Sequence, residues 1–139
     1  MKLFFKLFMA LHTGIFRLSK GKLGGQMNGF TVMLLTTTGR KSGKQTTAPL
    51  GCFNRDGGLL IVASNAGQAN HPAWYHNLSA NPRCRVEIGA SDYAAEATIL
   101  QGEQREQAWQ QVVSEAPAYK AYQTSTTRQI PLVLLKPVA

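Results

Sequence analysis

The sequence predicts a mainly β fold of the α+β class: a six-stranded antiparallel barrel with a few short peripheral helices. Three observations predict it. Six short apolar or β-branched segments crowd one 139-residue chain, turn-forming residues separate several of them, and few stretches carry a helical period. The length suits one domain with a core of useful size.

Residues 1–25 read as an N-terminal amphipathic helix and linker, and residues 26–139 as the barrel domain. Lys2 and Lys6 stand four apart, while Leu3, Leu7, Leu11, Ile15 and Leu18 mark an apolar stripe. Lys6, His12 and Arg17 interrupt this stretch, so it suits neither a membrane span nor a signal peptide. Two roles stay open for it. It packs on its own domain or a second copy, or it lies on an anionic membrane surface at the inner face of the cell.

Phe30–Thr37 is a strand, and Thr46–Phe53 returns from it after a basic turn. Asn54-Arg55-Asp56-Gly57-Gly58 signals a hairpin into the short apolar strand Leu59–Ala63. Ser64–Asn70 is a polar loop. His71-Pro72 opens a short helix that should end around Asn81-Pro82. Arg83–Ile88 and Tyr93–Leu100 form an antiparallel pair joined at Gly89–Asp92. Gly102–Ala116 is a helix with Ala108, Trp109, Val112, Val113 and Ala116 on one face. Pro117 restarts a helical stretch through Tyr122, and Ile130–Leu135 is the last strand.

The net charge of +8 is lopsided: residues 1–55 hold nine Lys or Arg and no Asp or Glu, and the rest is near neutral. A phosphorylated ligand or an anionic surface suits this distribution. Nucleic acid does not, because the cations are not interleaved with a stacking array of aromatics. Cys52 and Cys84 lie in strand-like runs, as buried free thiols of a reducing cytoplasm do. No spacing of histidine or cysteine suggests a metal.

Leu34-Leu35-Thr36-Thr37-Thr38-Gly39-Arg40-Lys41-Ser42-Gly43-Lys44 carries the strongest chemical signal. Two glycines allow positive φ, and three cations with one hydroxyl fall within five residues. Backbone N–H groups of such a turn, backed by Arg and Lys, suit a phosphate. A P-loop is excluded, because the run is one residue short, lacks Ser or Thr after Lys44, and leads into a strand. The second signal is His71-Pro72-Ala73-Trp74-Tyr75-His76-Asn77-Leu78, aromatic and amide groups of the kind that line a ring pocket. A phosphate end and a ring end together point to a nucleotide-like cofactor.

These blocks, with Pro49-Leu50, Val62-Ala63-Ser64 and Tyr119 through Pro131, resemble the deazaflavin-dependent nitroreductase family in order and spacing. The resemblance implies a split β-barrel related to FMN-binding proteins, and coenzyme F-420 (an 8-hydroxy-5-deazaflavin) as cofactor, with FMN the alternative. It implies hydride transfer from the reduced coenzyme to a hydrophobic small-molecule acceptor, quinone-like or nitro-substituted. It also makes a homodimer reasonable. Arg40, Lys41 and Ser42 match the phosphate turn, and Thr46-Thr47-Ala48-Pro49-Leu50 the strand beneath the ring. Val62, Ala63, Ser64 and Asn65 match the strand end that approaches the ring. Ala73, Trp74, Tyr75, His76 and Asn77 match the helix covering cofactor and phosphate. Tyr119 and Ser64 match groups near the reacting face. Thr46 and Asn65 stand where family members often carry cations, and Gly51 where an aromatic can occur. A non-catalytic carrier of FMN, fatty acid or another apolar ligand is the alternative function.

Overall fold

In the computed structural model, residues 26–27, 30–55 and 57–138 are described. The expected N-terminal helix, and the boundary drawn after it, lie outside these residues. The described chain forms seven strands: β1 (Gln26–Met27), β2 (Phe30–Thr38), β3 (Gln45–Arg55), β4 (Gly58–Val62), β5 (Arg83–Ile88), β6 (Ser91–Ile99) and β7 (Leu132–Pro137). Three helices accompany them: α1 (Ala73–Ala80), α2 (Gly102–Glu115) and α3 (Ala118–Thr124). None of these helices is long and apolar enough to cross a membrane.

Every strand pairs antiparallel with its neighbours, in the order β1-β2-β3-β4-β7-β6-β5. A further β2–β5 pairing, Leu34 to Glu87 through Thr36 to Arg85, closes β2–β7 into the expected six-stranded barrel. The two-residue β1 extends the sheet beyond β2 and had no signal in the sequence. Met33 and Leu35 face the barrel interior and the alternate residues Val32 and Leu34 are buried too, so both faces of β2 are covered and its apolar run is continuous rather than alternating. The last strand starts two residues later than expected. Pro131 has no N–H to give a ladder, and its carbonyl instead accepts from Ala63 N–H at 2.9 Å.

Two apolar clusters follow. Met33, Leu35, Cys52, Leu59, Ile61, Val86, Ala95, Val133 and Leu135 fill the barrel, and Trp74 and Leu78 of α1 close it. Outside the wall, Phe53, Leu60, Val62 and Leu132 meet Trp109 and Val112 of α2 and Ala116 just past its end, with Tyr119 and Tyr122 of α3 at the margin. Arg105 breaks this apolar face of α2. Its Nη2 donates to Ile130 O at 2.6 Å, and its guanidinium lies over Trp109, 4.8 Å from the ring centroid. The cation thereby ties α2 to the chain that feeds β7.

Cys52 and Cys84 are free thiols, and burial pushes each up to about 11. At pH 8 only about one thiol in a thousand would be ionised at either site. Alkylation by iodoacetamide at pH 8 should therefore be slow in the folded protein and rapid in denaturant. Fast labelling of native protein, followed by mass spectrometry, would contradict this burial.

Candidate functional site

The functional candidates lie in two groups, one where β2 turns into β3 and joins α1, the other where β4 runs out, while Tyr119 packs with the cluster outside the wall. Gly39 N–H donates to Lys44 O at 2.7 Å, and Gly43 N–H to Gly39 O at 2.9 Å. Gly43 holds φ of +70°, which a side chain would resist. Ser42 Oγ accepts from Lys44 N–H at 3.1 Å, and a Cβ on Gly39 would press that oxygen at 2.6 Å. The turn is therefore tight by construction. Arg40, Lys41 and Lys44 project from it exposed, with no ion-pair partner among the described residues.

Asn77 joins this turn to α1. Its Oδ1 accepts from Arg40 N–H at 3.1 Å, and its Nδ2 donates to the buried Thr37 hydroxyl at 3.1 Å. Thr37 faces Thr46 across the ladder (3.4 Å between hydroxyls), and Thr36 faces Thr47 at 2.9 Å. The threonine run is thus a hydroxyl ladder under the turn. Thr46, at a position where the resembling family often has a cation, takes part in it.

Beyond this ladder the barrel splits. β3 pairs with β2 over Gln45–Cys52, but with β4 only over Cys52–Arg55. Residues 45–51 of β3, with Ala48, Pro49 and Leu50 among them, have no described strand on their other side. β4 stays with β7 instead, and Ala63 follows it through the bond to Pro131. The two strands part into a wedge that has a backbone edge on one wall and the end of β4 on the other. Ala48 and Leu50 pack against the cluster that fills the barrel, as Tyr75 of α1 does.

The loop predicted at Ser64–Asn70 is more constrained than its composition implied. Asn65 (φ 47°), Ala66 (φ 54°) and Gly67 (φ 79°) are consecutively left-handed. Asparagine tolerates this conformation, which gives Asn65 a backbone reason for standing where a cation is common. Alanine tolerates it poorly, and such outliers persist where surrounding contacts fix them. Ser125 Oγ shares its proton between Tyr122 O at 2.8 Å and Gly67 O at 3.1 Å, and a side chain on Gly67 would strike that hydroxyl. Helix α3, the carrier of Tyr119, therefore docks on the turn that follows Ser64.

One residue that sequence reasoning missed, Arg128, organises this region together with His71. Arg128 donates to the carbonyls of Ala63 (3.2 Å), Ser64 (2.8 Å) and Gln68 (3.0 Å), and to His71 Nδ1 (2.8 Å). His71 stacks obliquely on Tyr75, with ring centroids 4.7 Å apart, and both line a cavity of about 310 Å³ at the start of α2. Desolvation, then Arg128, then His76 lower the His71 pKa from its ordinary 6.5. The folded chain thus binds this proton less readily than the unfolded chain, and that contribution to stability declines as pH falls below about 6.5. Tyr119 lies edge-on to Phe53 (6.1 Å) and Tyr122 (5.8 Å), and burial raises its pKa above 10. It is a neutral phenol at physiological pH.

The chain is similar in sequence and fold to known proteins. Residues 8–137 match the sequence profile of the F420H(2)-dependent quinone reductases. An F420H(2)-dependent quinone reductase of Mycobacterium tuberculosis is 38% identical over 133 residues, covering 91% of this chain and 88% of the relative. The structure of an F420-H2-dependent reductase superposes with a TM-score of 0.68 at 40% identity, covering 76% of this chain and 93% of that one. A domain-swapped dimer superposes at 0.71 with 36% identity, covering 91% and 96% of the two chains. The chain belongs to the F420H(2)-dependent quinone reductase family.

Proposed function

We propose that this chain is an oxidoreductase that uses reduced coenzyme F-420 to reduce a quinone-like or nitro-substituted acceptor. The observation that carries the reading is the wedge between β3 and the end of β4, with the basic turn at its β2–β3 end. A flat ring fits an open strand edge, and an anionic tail fits exposed cations on a rigid turn. Arg40, Lys41 and Ser42 would hold the phosphate, and Asn77 would keep the turn in place. Thr46, Thr47, Ala48, Pro49 and Leu50 would form one wall. Val62, Ala63, Ser64 and Asn65 would form the other. Ala73, Trp74, Tyr75 and His76 of α1 would cover the ring.

Bound in this wedge, reduced coenzyme F-420 would supply the hydride. No nucleophile is asked of the protein, whose work is to hold the acceptor at reacting distance and keep water out. Tyr119 and Ser64 supply hydroxyl donors toward the acceptor oxygen that gains charge. As a neutral phenol, Tyr119 keeps this capacity throughout the neutral pH range. A homodimer is the assembly we favour, from the domain-swapped relative. Contact with the membrane surface through residues 2–18 remains part of the proposal, to be tested by vesicle sedimentation.

Oxidation of the reduced coenzyme by a small naphthoquinone, followed by absorbance, should require both protein and acceptor. Tyr119→Phe should lower kcat about tenfold while coenzyme affinity changes less than threefold, the signature of an interaction made in the transition state. Saturable binding of FMN or fatty acid without any turnover across a quinone and nitroaromatic panel would favour the carrier reading instead.

A further inference from the structure

We propose that Arg128 is a positioning residue that couples one wall of the coenzyme site to the helix that covers it, tying the end of β4 to the start of α1 through His71; the inference rests on the reductase reading above. One planar group reaches four acceptors, all within residues 63–71. Its Nη2 and Nη1 fix the carbonyls of Ser64 and Ala63, the residues at which β4 has already left β3. Its Nε holds Gln68 O on the far side of the left-handed turn. Nη1 also reaches His71 Nδ1, one residue before the Pro72 that caps α1.

A guanidinium has donors only, so His71 Nδ1 must accept and the neutral ring must carry its proton on Nε2. Arg128 therefore fixes a tautomer as well as a position. The fork is what makes this possible. A lysine ammonium at the same place is a point donor and does not span carbonyls on both sides of a bend. The three left-handed residues between the fixed ends supply the reason for so many bonds. Asn65 Nδ2 to Asn70 O and Ser125 Oγ to Gly67 O brace the middle of the turn, and Arg128 braces its ends. Relaxation of the turn would displace Ser64 relative to α1, and with it the spacing between the β4 wall and the helix that covers the ring.

Nitrogen-detected NMR of His71 in the full-length protein at pH 8, with no coenzyme added, tests the contact directly. The proton should sit on Nε2 in the unsubstituted protein, and Arg128→Lys should give a mixture of tautomers. Arg128→Lys should also lower kcat at least tenfold, with coenzyme affinity weakened less than threefold. Arg128→Ala should recover part of the lost turnover when methylguanidinium is added, which a general loss of folding would not allow. A His71 proton on Nδ1 in the unsubstituted protein, or an Arg128→Lys variant within twofold of full turnover, overturns the proposal. If the unsubstituted protein itself oxidises no reduced coenzyme, the reductase reading fails, and the tautomer measurement still decides whether the clamp exists.

Discussion

Asn77→Ala should lower the thermal midpoint by roughly 6–12 °C and weaken coenzyme F-420 binding about tenfold or more. The side chain is buried, and both halves of its amide are used: one accepts from Arg40 N–H, the other donates to Thr37. Alanine removes two bonds and leaves the buried Thr37 hydroxyl with only its longer contact to Thr46. Loss of such partners costs about 2–3 kcal/mol, which in a domain of this size corresponds to that shift. The binding loss has a separate origin, because release of Arg40 N–H frees the turn that carries the cations. Asn77→Asp separates the two effects. It preserves shape and the acceptor for Arg40 but sets a negative charge beside the phosphate turn, so affinity should fall more than stability. Equal affinity in Asn77→Asp and the unsubstituted protein, measured by titration at low salt, would remove Asn77 and its turn from the coenzyme site.

The legible parts of the fold were those written in local pattern. The six barrel strands, the Asn54–Gly58 hairpin and the face of α2 lie close to where periodicity set them, because each is stabilised mainly by its own pleat or stripe against one core. Closure of β2 on β5 depends on residues about fifty apart, and no local pattern carries it. Arg105 escaped notice because a cation on an apolar stripe reads as an interruption. Yet its spacing of four from Trp109 places it on that face, and its carbonyl partner makes the burial tolerable. Arg128 is less legible still. It sits in a polar stretch with no period, and its four acceptors are over fifty residues away in sequence. Ala66 carries no sign of its left-handed backbone, which is imposed by its neighbours. The site was readable as residue types, and its rigidity was not.

Replacement of both Arg40 and Lys41 by alanine should weaken coenzyme F-420 binding by at least tenfold while leaving the apo-protein's thermal midpoint within about 2 °C. Both side chains are exposed and make no ion pair among the described residues, so the fold does not depend on them. The backbone of the turn does matter to the fold, but its bonds run through Gly39, Gly43, Lys44 and the Arg40 N–H, and alanine keeps that N–H. In the complex each cation would face phosphate oxygens in a charge-assisted bond worth about 1.5–3 kcal/mol, of which solvent screening removes a share. Tenfold, or about 1.4 kcal/mol, is therefore the smallest loss expected from removing two. Salt provides an independent check. Affinity of the unsubstituted protein should fall as sodium chloride rises from 20 to 300 mM, and the double variant should show a shallower slope because fewer charges are engaged. Lys44→Ala alone should lie between the two. If the double variant binds as tightly as the unsubstituted protein and shows the same salt slope, the coenzyme's phosphate lies elsewhere, and the basic turn is a solvated loop over the barrel end.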